Sequence, residues 1–291
     1  MKEIIVLSGK GGTGKTSIAG SLAVLADNKV LADCDVDAAD LHLLLAPSVL
    51  EKHDFRSGQT AVIDDAVCTG CGSCEKACRF GAINREGIIA YSCEGCGFCS
   101  LVCPVGAITM QENMAGQWYI SDTRYGPLVH ARLGIGEENS GKLVTTVRGA
   151  ARDIAVREGM DTIISDGPPG TGCPVISSLS GADLALIVTE PSLSGIHDLE
   201  RVLEVCDHFN VPAVVAINKH DINMENTNFI ERYCYNKGVT VAAHIPFDTA
   251  VMESVTRGIP LISFSNGNAA TEIRHLWDAI MAYGIPESEE T

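Results

Sequence analysis

The stretch Gly9-Lys10-Gly11-Gly12-Thr13-Gly14-Lys15-Thr16 decides the fold of this chain. It fits the pattern G-x-x-x-x-G-K-[ST] at every fixed position. The apolar run at residues 4–7 precedes it and indicates a buried strand. Ile18, Leu22 and Leu25 follow it at helical spacing. A glycine-rich loop between a strand and a helix N-terminus can direct its backbone N–H groups at an anion. The sequence therefore predicts a phosphate-binding loop.

Residues in and around this loop have expected roles in binding Mg-ATP. Lys15 would contact the β- and γ-phosphates, and the Thr16 hydroxyl would bind Mg²⁺. Asp166 directly follows the apolar run 162–165, a position from which a carboxylate reaches Mg²⁺. The loop residues expected to bind the nucleotide are Gly9, Lys10, Gly11, Gly12, Thr13, Gly14, Lys15, Thr16 and Ser17.

Acidic residues also end the second predicted strand, at the same edge of the sheet. Asp33 and Asp35 are both placed there, and Asp35 is the better candidate for orienting the attacking water. Capping of a helix is the alternative role for Asp33, Asp37 and Asp40, because aspartate is a favoured N-cap residue.

The rest of the chain alternates apolar runs with helical segments. Such runs are typical of a doubly wound, mostly parallel sheet covered on both faces, so we expect an α/β fold. Residues 116–140 fit no element. The predicted strands are 4–7, 30–32, 162–165, 184–188, 213–217 and 241–245, and the predicted helices are 41–45, 141–159, 195–208, 226–237 and a final one containing Ile273, Leu276 and Ile280.

Charge and hydropathy limit the classes of partner. The 291 residues carry a net charge of −16, with no basic block, so we expect neither nucleic acid nor a membrane surface as a partner. No apolar run approaches the ~18 residues of a membrane span. The first predicted strand begins at residue 4, so we expect no signal peptide before it. We therefore expect a cytoplasmic protein.

Eight of the 12 cysteines form two regular runs between residues 68 and 103. Each has the spacing C-x-x-C-x-x-C-x-x-x-C, which resembles that of bacterial two-cluster ferredoxins, and the second ends in Cys103-Pro104 whereas Arg79 follows Cys78. In such ferredoxins the fourth cysteine of each run binds the other cluster. Zinc and disulfides are the alternatives. The resemblance implies one [4Fe–4S] cluster on Cys68, Cys71, Cys74 and Cys103, and a second on Cys93, Cys96, Cys99 and Cys78.

The part of the chain that contains these runs is rich in glycine and cysteine. It lacks the long stretches of apolar residues at helical spacing that occur elsewhere. We interpret this part as an inserted α+β two-cluster ferredoxin-like domain. The expected domains are the first part of an ATPase domain at 1–56, the insertion at 57–113 and the second part at 114–291.

The loop resembles the deviant Walker A motif of the MinD, Mrp and nitrogenase-iron-protein group of P-loop ATPases, whose extra lysine matches Lys10. The segments 33–35 and 166–172 are similar to the two switch regions of that group. The resemblance implies an ATP-dependent homodimer in which Lys10 reaches the partner's ATP, with Lys10, Lys15, Asp35 and Asp166 as the catalytic set. It also implies adenine contacts from Asn218, Lys219, Pro246 and Asp248.

Our leading hypothesis combines the two halves. An ATPase, dependent on a partner, would couple nucleotide state to electron or metal-cluster delivery through the two clusters to another protein. A scaffold or carrier of Mrp type for iron–sulfur or metal-cofactor assembly is the first alternative. A positioning ATPase of MinD or ParA type with structural clusters is the second.

Overall fold

The computed structural model describes residues 1–84, 87–88, 90–137 and 141–283. The chain divides into two compact units. The expected insertion, 57–113, lies within the second. The first unit is Met1–Lys52, Tyr119–Ala131 and Asn139–Thr291, and the second is His53–Trp118 and Arg132–Glu138.

A mostly parallel sheet forms the centre of the first unit. Its inner strands are buried on both faces because their central residues form continuous apolar runs. Six neighbouring pairs of its strands are parallel. The strands are β1 Lys2–Ser8, β2 Lys29–Asp33, β7 Gly126–Leu133, β8 Thr162–Pro169, β9 Leu184–Thr189, β10 Ala213–Asn218 and β11 Thr240–Ile245, in the order β11-β10-β9-β1-β8-β2-β7.

Helices cover this sheet and form two apolar clusters with it. The predicted α/β fold with a mostly parallel sheet is confirmed. The helices are α1 Lys15–Leu25, α2 Leu41–Leu45, α5 Lys142–Glu158, α6 Cys173–Leu179, α7 Leu193–His208, α8 Met224–Asn236, α9 Thr249–Thr256, α10 Leu261–Phe264 and α11 Asn268–Ala282, with a 3-10 turn at His220–Ile222. In the described part of the chain, none of the helices is both long and apolar enough to span a membrane.

Two long strands were not predicted. They are β3 Ser48–Ile63 and β6 Ile108–Thr123, with β6 adjacent to both β7 and β3. The last residues of β6 and the whole of β7 occupy most of the stretch 116–140 that fitted no element. β3 escaped prediction because it is polar and largely exposed, with Ala61 as its one buried residue.

The second unit has short elements around a small apolar cluster. Ala61, Ile83, Cys99 and Ile108 form that cluster. Its remaining elements are α3 Ser73–Ala77, α4 Phe98–Leu101, a two-stranded antiparallel pair of β4 Ile83–Asn84 and β5 Gly87–Ile88, and a 3-10 turn at Ala90–Ser92.

A buried ion pair joins β1 to α5 in the first unit. Arg148 Nε lies 2.6 Å from Glu3 Oε1, and both side chains are almost fully buried. Arg148 Nη1 also donates to the carbonyl oxygens of Ser177 and Ser180, at 2.7 and 2.9 Å. Arg152 pairs with the other oxygen of Glu3 but is 39% exposed. One arginine therefore ties the first strand to two helices.

Replacing Arg148 with Met should lower the free energy of unfolding by about 3–5 kcal/mol, because it leaves the Glu3 carboxylate buried without its buried partner. Arg152→Met is the matched control and should cost clearly less, since its guanidinium is partly solvated. Urea unfolding followed by far-UV circular dichroism measures both. Equal losses of unfolding free energy in the two variants would contradict the conclusion that Arg148 is the main partner of Glu3.

Three aromatic rings stack in the first unit. His130 on β7 lies between His42 and Tyr119, with ring centroids 6.0 and 5.1 Å away. Its Nε2 is 3.0 Å from the Ser121 hydroxyl. Burial, with a smaller contribution from His42, lowers the pKa of His130 to about 4. The ring is therefore neutral at pH 7.

Removing the covering ring should raise the pKa of His130. In Tyr119→Ala we expect it to move from about 4 towards the 6.5 of a solvated imidazole, because burial is the main cause of the shift. An NMR titration of ring carbon-bound protons measures it. Tyr235→Ala, at an exposed tyrosine, should leave it unchanged, and a wild-type pKa near 6.5 would refute the assignment.

Candidate functional site

Two glycines of the glycine-rich loop have positive φ angles. Gly14 has φ 93° and caps α1, and Gly12 has φ 81°, a region that residues with a Cβ rarely adopt. A Cβ at Gly14 would also collide with the Asn218 side chain. Asn218 Nδ2 donates to the Thr13 carbonyl oxygen at 2.7 Å. The end of β10 therefore braces the loop from the side.

Lys15 is buried among the carboxylates at the C-terminal edge of the sheet. Its Nζ lies 2.7 Å from Asp166 Oδ1 and 3.2 Å from Asp35 Oδ2. Burial opposes its charge, but Asp166 and Asp35 outweigh that effect and raise its pKa. The structure thus brings together Lys15, Asp35 and Asp166, three of the four predicted catalytic residues.

Asp33 lies beside them but is held by the backbone. Its two oxygens accept hydrogen bonds from the N–H groups of Asp35 and Leu41, at 3.2 and 3.1 Å. Burial, followed by the charge of Asp166, raises its pKa well above the usual range. The Leu41 contact is at the start of α2, so Asp33 anchors that helix. Asp40 precedes the same helix without capping it through its side chain.

The site has polar atoms available for Mg²⁺ and phosphate. Asp166 Oδ2 and Thr13 Oγ1 are buried and have no hydrogen-bond partner. Such atoms are costly unless a ligand satisfies them, and a free carboxylate oxygen is a preferred ligand of Mg²⁺. Thr16 is half-buried in the first turn of α1. The residues present therefore fit a magnesium ion held by Asp166 and Thr16 beside a phosphate at the loop.

Lys10 contacts one carboxylate and two hydroxyl groups. Its Nζ lies 2.6 Å from Glu190 Oε1, and it donates to the hydroxyls of Ser192 and Ser194 at 3.2 and 2.8 Å. Lys219 Nζ reaches the other carboxylate oxygen, Glu190 Oε2, at 3.3 Å. Lys10 and Lys219 thus meet at one carboxylate.

The segments predicted to contact adenine follow β10 and β11. Asn218 ends β10, and Lys219 follows it with φ 54°. Pro246 follows β11, and Asp248 caps α9 by accepting from Ala250 N–H at 2.8 Å. Asn218 touches the phosphate loop directly, whereas Asp248 caps its own helix.

The eight cysteines of the second unit line two pockets. The ferredoxin resemblance implied two sets of four cysteines, and each pocket is lined by one of these sets. In each pocket, three cysteines come from one run and the fourth comes from the other run. One pocket has Cys68, Cys71, Cys74 and Cys103, and the other has Cys93, Cys96, Cys99 and Cys78.

The backbone of the first cysteine run recurs in the second, 25 residues later. Gly70, Gly72 and Gly81 have φ of 67°, 71° and 65°, and their counterparts Gly95, Gly97 and Gly106 have 63°, 72° and 66°. Such positive φ values favour glycine. The two runs are therefore a structural as well as a sequence duplication.

Backbone and hydroxyl groups of the second unit surround the cysteine sulfurs of one pocket. Gly70 N–H donates to Cys68 Sγ at 3.5 Å, and Ala107 N–H to Cys103 Sγ at 3.2 Å. Hydrogen bonding with Ser73 lowers the pKa of the Cys71 thiol, which favours the metal-binding thiolate. In the other pocket, burial raises the pKa of Cys99.

A single metal ion would need a tighter grouping than these pockets have. Within the described ranges, no group of three or more His, Cys, Asp or Glu side chains is close enough to hold one ion. The four cysteines outside the runs are separate in sequence. Cys34, Cys206 and Cys234 are buried, and Cys173 is exposed at the start of α6.

The sequence analysis missed the partners of Lys10. Glu190 directly follows β9, and Ser192 caps α7 by accepting from Gly195 N–H at 3.0 Å. A polar residue just after a parallel strand was the available signal, since β9 neighbours β1, which leads into the phosphate loop.

Comparison with known proteins identifies the family. The family model for the CobQ/CobB/MinD/ParA nucleotide binding domain matches residues 4–261. The chain belongs to this family. The uncharacterized protein MJ0578 of Methanocaldococcus jannaschii is 35% identical, over 97% of each chain. The septum site-determining protein MinD of Bacillus subtilis is 21% identical over 98% of this chain and 91% of its own.

A further relative matches over part of the chain. The iron-sulfur cluster carrier protein of Pyrococcus horikoshii is 26% identical over 42% of this chain and 45% of its own length.

Solved structures show the same fold. The cell division ATPase MinD of Pyrococcus furiosus has a TM-score of 0.58 at 19% identity, covering 96% of this chain and 98% of its own. MinD of Pyrococcus horikoshii, complexed with Mg-ADP, has a TM-score of 0.57 at 18% identity, with 96% and 95% covered. MinD in the MinC:MinD complex of Aquifex aeolicus has 0.58 at 18%, with 98% of each chain covered. The P-loop NTPase fold is therefore established.

Gly14→Ala should weaken Mg-ATP binding at least ~10-fold, because the new Cβ is strained at φ 93° and meets Asn218. Gly12→Ala is the matched control: it has a similar φ but open space around the added Cβ, so it should cost less. Fluorescent-nucleotide titration measures both affinities. Equal losses would show that Asn218 does not brace the loop.

Proposed function

We propose that this member of the family is an ATP-dependent dimeric switch whose second unit holds two [4Fe–4S] clusters. The nucleotide state would govern delivery of electrons, or of a metal cluster as cargo, to a protein partner. The observation that supports the two clusters is that eight cysteines line two pockets, four in each. The family assignment alone does not imply these clusters. We further propose that the chain works in a reducing cytoplasm, where such thiols persist.

The cysteine pockets fit the proposed clusters in their donor set and surroundings. Each offers four sulfurs, the ligand number of a [4Fe–4S] cluster. N–H···S hydrogen bonds like those from Gly70 and Ala107 stabilise anionic sulfur and tune cluster potential. When bound, such clusters supply one-electron chemistry. Cys68, Cys71, Cys74 and Cys103 would hold one, and Cys93, Cys96, Cys99 and Cys78 the other.

In the first unit, the described geometry supports ATP hydrolysis. Lys15 would neutralise the phosphates, and Asp166 with Thr16 would hold Mg²⁺. Asp35 is close enough to Lys15 to line the same site and would orient the attacking water. Lys10 would act on the nucleotide of the second subunit, where its ammonium offsets developing charge as an arginine finger does.

A positioning ATPase is the second candidate, and the comparisons favour it over delivery. The septum site-determining name of the Bacillus subtilis relative and the MinC:MinD complex support it. The partial match to an iron-sulfur cluster carrier supports the carrier alternative over less than half of the chain. Both alternatives keep the ATP-dependent dimeric switch. They differ from the leading proposal only in what the second unit does.

Anaerobically purified protein should contain about eight iron and eight acid-labile sulfide per chain. Cys78→Ser and Cys103→Ser should each affect a different cluster, because each residue belongs to a different pocket. Iron analysis and EPR of the reduced protein separate the two, and Cys173→Ser is the control outside both pockets. Stoichiometric zinc without iron would refute the cluster proposal.

A second experiment decides between delivery and positioning. Delivery predicts that Mg-ATP changes the midpoint potentials of the clusters or the rate of their oxidation by an acceptor. Positioning predicts ATP-dependent cosedimentation with liposomes or DNA and unchanged potentials. Lys10→Ala should retain nucleotide binding but lose hydrolysis and ATP-dependent dimerisation, so it should abolish either effect. Unchanged turnover in that variant would remove the role of Lys10 across the dimer.

A further inference from the structure

The ammonium of Lys10 occupies a complete binding site within its own chain. A lysine has three donors, and Nζ of Lys10 has three acceptors: Glu190 Oε1 at 2.6 Å, Ser194 Oγ at 2.8 Å and Ser192 Oγ at 3.2 Å. Lys10 retains 29% of its side-chain exposure and Glu190 21%, so the pair is shielded but not buried. We call these three acceptors the cis site.

Local structure fixes the cis site. Ser192 caps α7, accepting from Gly195 N–H, and its hydroxyl is 3.4 Å from Glu190 Oε1. The Thr189 hydroxyl donates to the Gly195 carbonyl at 3.1 Å. A Cβ at Gly195 would collide with the Glu190 carbonyl, so the turn between β9 and α7 is tightly wound. Glu190 and Ser192 are therefore positioned by the fold.

The charge of Glu190 also depends on this contact. Burial raises its pKa, but hydrogen bonds from Lys10 and Lys219 outweigh burial and lower it. Lys10 comes from the phosphate loop and Lys219 from the segment after β10. One carboxylate thus joins two elements of the nucleotide site.

We propose that Glu190, with Ser192 and Ser194, holds Lys10 in cis in the nucleotide-free subunit and opposes dimer closure until the partner's nucleotide replaces Glu190 as the anion. Glu190 is then a positioning residue that sets the ATP dependence of dimerisation. This inference rests on the proposed role of Lys10 across the dimer.

The expected size of the effect follows from the exposure of the pair. A partly exposed ion pair typically shifts an equilibrium by about 1.4- to 5-fold, and a dimer would release two of them. Glu190→Gln, which keeps the shape but removes the charge, should therefore tighten Mg-ATP-dependent dimerisation by about 2- to 30-fold. Sedimentation over a range of protein concentrations measures the dimer dissociation constant.

A second readout tests the cis site without dimerisation. In the nucleotide-free monomer, Glu190→Gln should increase the rate at which an amine-reactive ester labels Lys10, because the ammonium loses its charged acceptor. Mass spectrometry follows this rate against exposed Lys237 as the internal reference. Ser194→Ala removes a neutral acceptor and should give a smaller increase in the same direction.

Separate outcomes identify which proposal fails. If Lys10→Ala dimerises with Mg-ATP as the wild type does, the role of Lys10 across the dimer is wrong. If Lys10→Ala loses dimerisation while Glu190→Gln dimerises no more tightly than wild type, the opposing role of Glu190 is wrong. In the Lys10→Ala background, adding Glu190→Gln should not restore dimerisation with Mg-ATP, and restored dimerisation would mean that Glu190 acts independently of Lys10.

Discussion

The buried ammonium of Lys15 is the constraint on which the nucleotide site depends. A lysine buried without a carboxylate partner costs several kcal/mol, and the same holds for an unpaired buried aspartate. Asp166 and Asp35 satisfy Lys15, and Lys15 in turn makes their burial tolerable. Even so, burial and the charge of Asp166 raise the pKa of Asp33. Removal of either Lys15 or its carboxylate partners would therefore leave the remaining charges buried and unpaired.

This balance couples the binding of phosphate to the binding of a cation. A triphosphate that takes Lys15 as its counterion would leave Asp166 and Asp35 uncompensated at the edge of the sheet. A divalent cation would offset part of this negative charge, and the unpartnered Asp166 Oδ2 offers it a ligand. Mg²⁺ and nucleotide are thus expected to bind jointly. Lys10, which lies outside the cluster on Glu190, is free of this constraint and can respond to a second subunit.

The sequence predicted what depends on local pattern. The phosphate loop, the apolar strands and the cysteine spacing are encoded within a few residues, because glycine conformation, burial and ligand geometry act locally. β3 and β6 were missed because their stability comes from neighbouring strands and not from apolar runs. The contact of Lys10 with Glu190 joins residues 180 positions apart, so no periodicity predicted it. In the proposed function, what the second unit delivers would depend on a partner that the sequence does not name.

The two cysteine runs share the same arrangement of left-handed glycines, yet neither run lines a whole pocket. Each takes its fourth thiol from the other, as in a domain-swapped pair. Neither run alone could therefore complete a set of four thiols, and removal of either run would leave both pockets without their full lining.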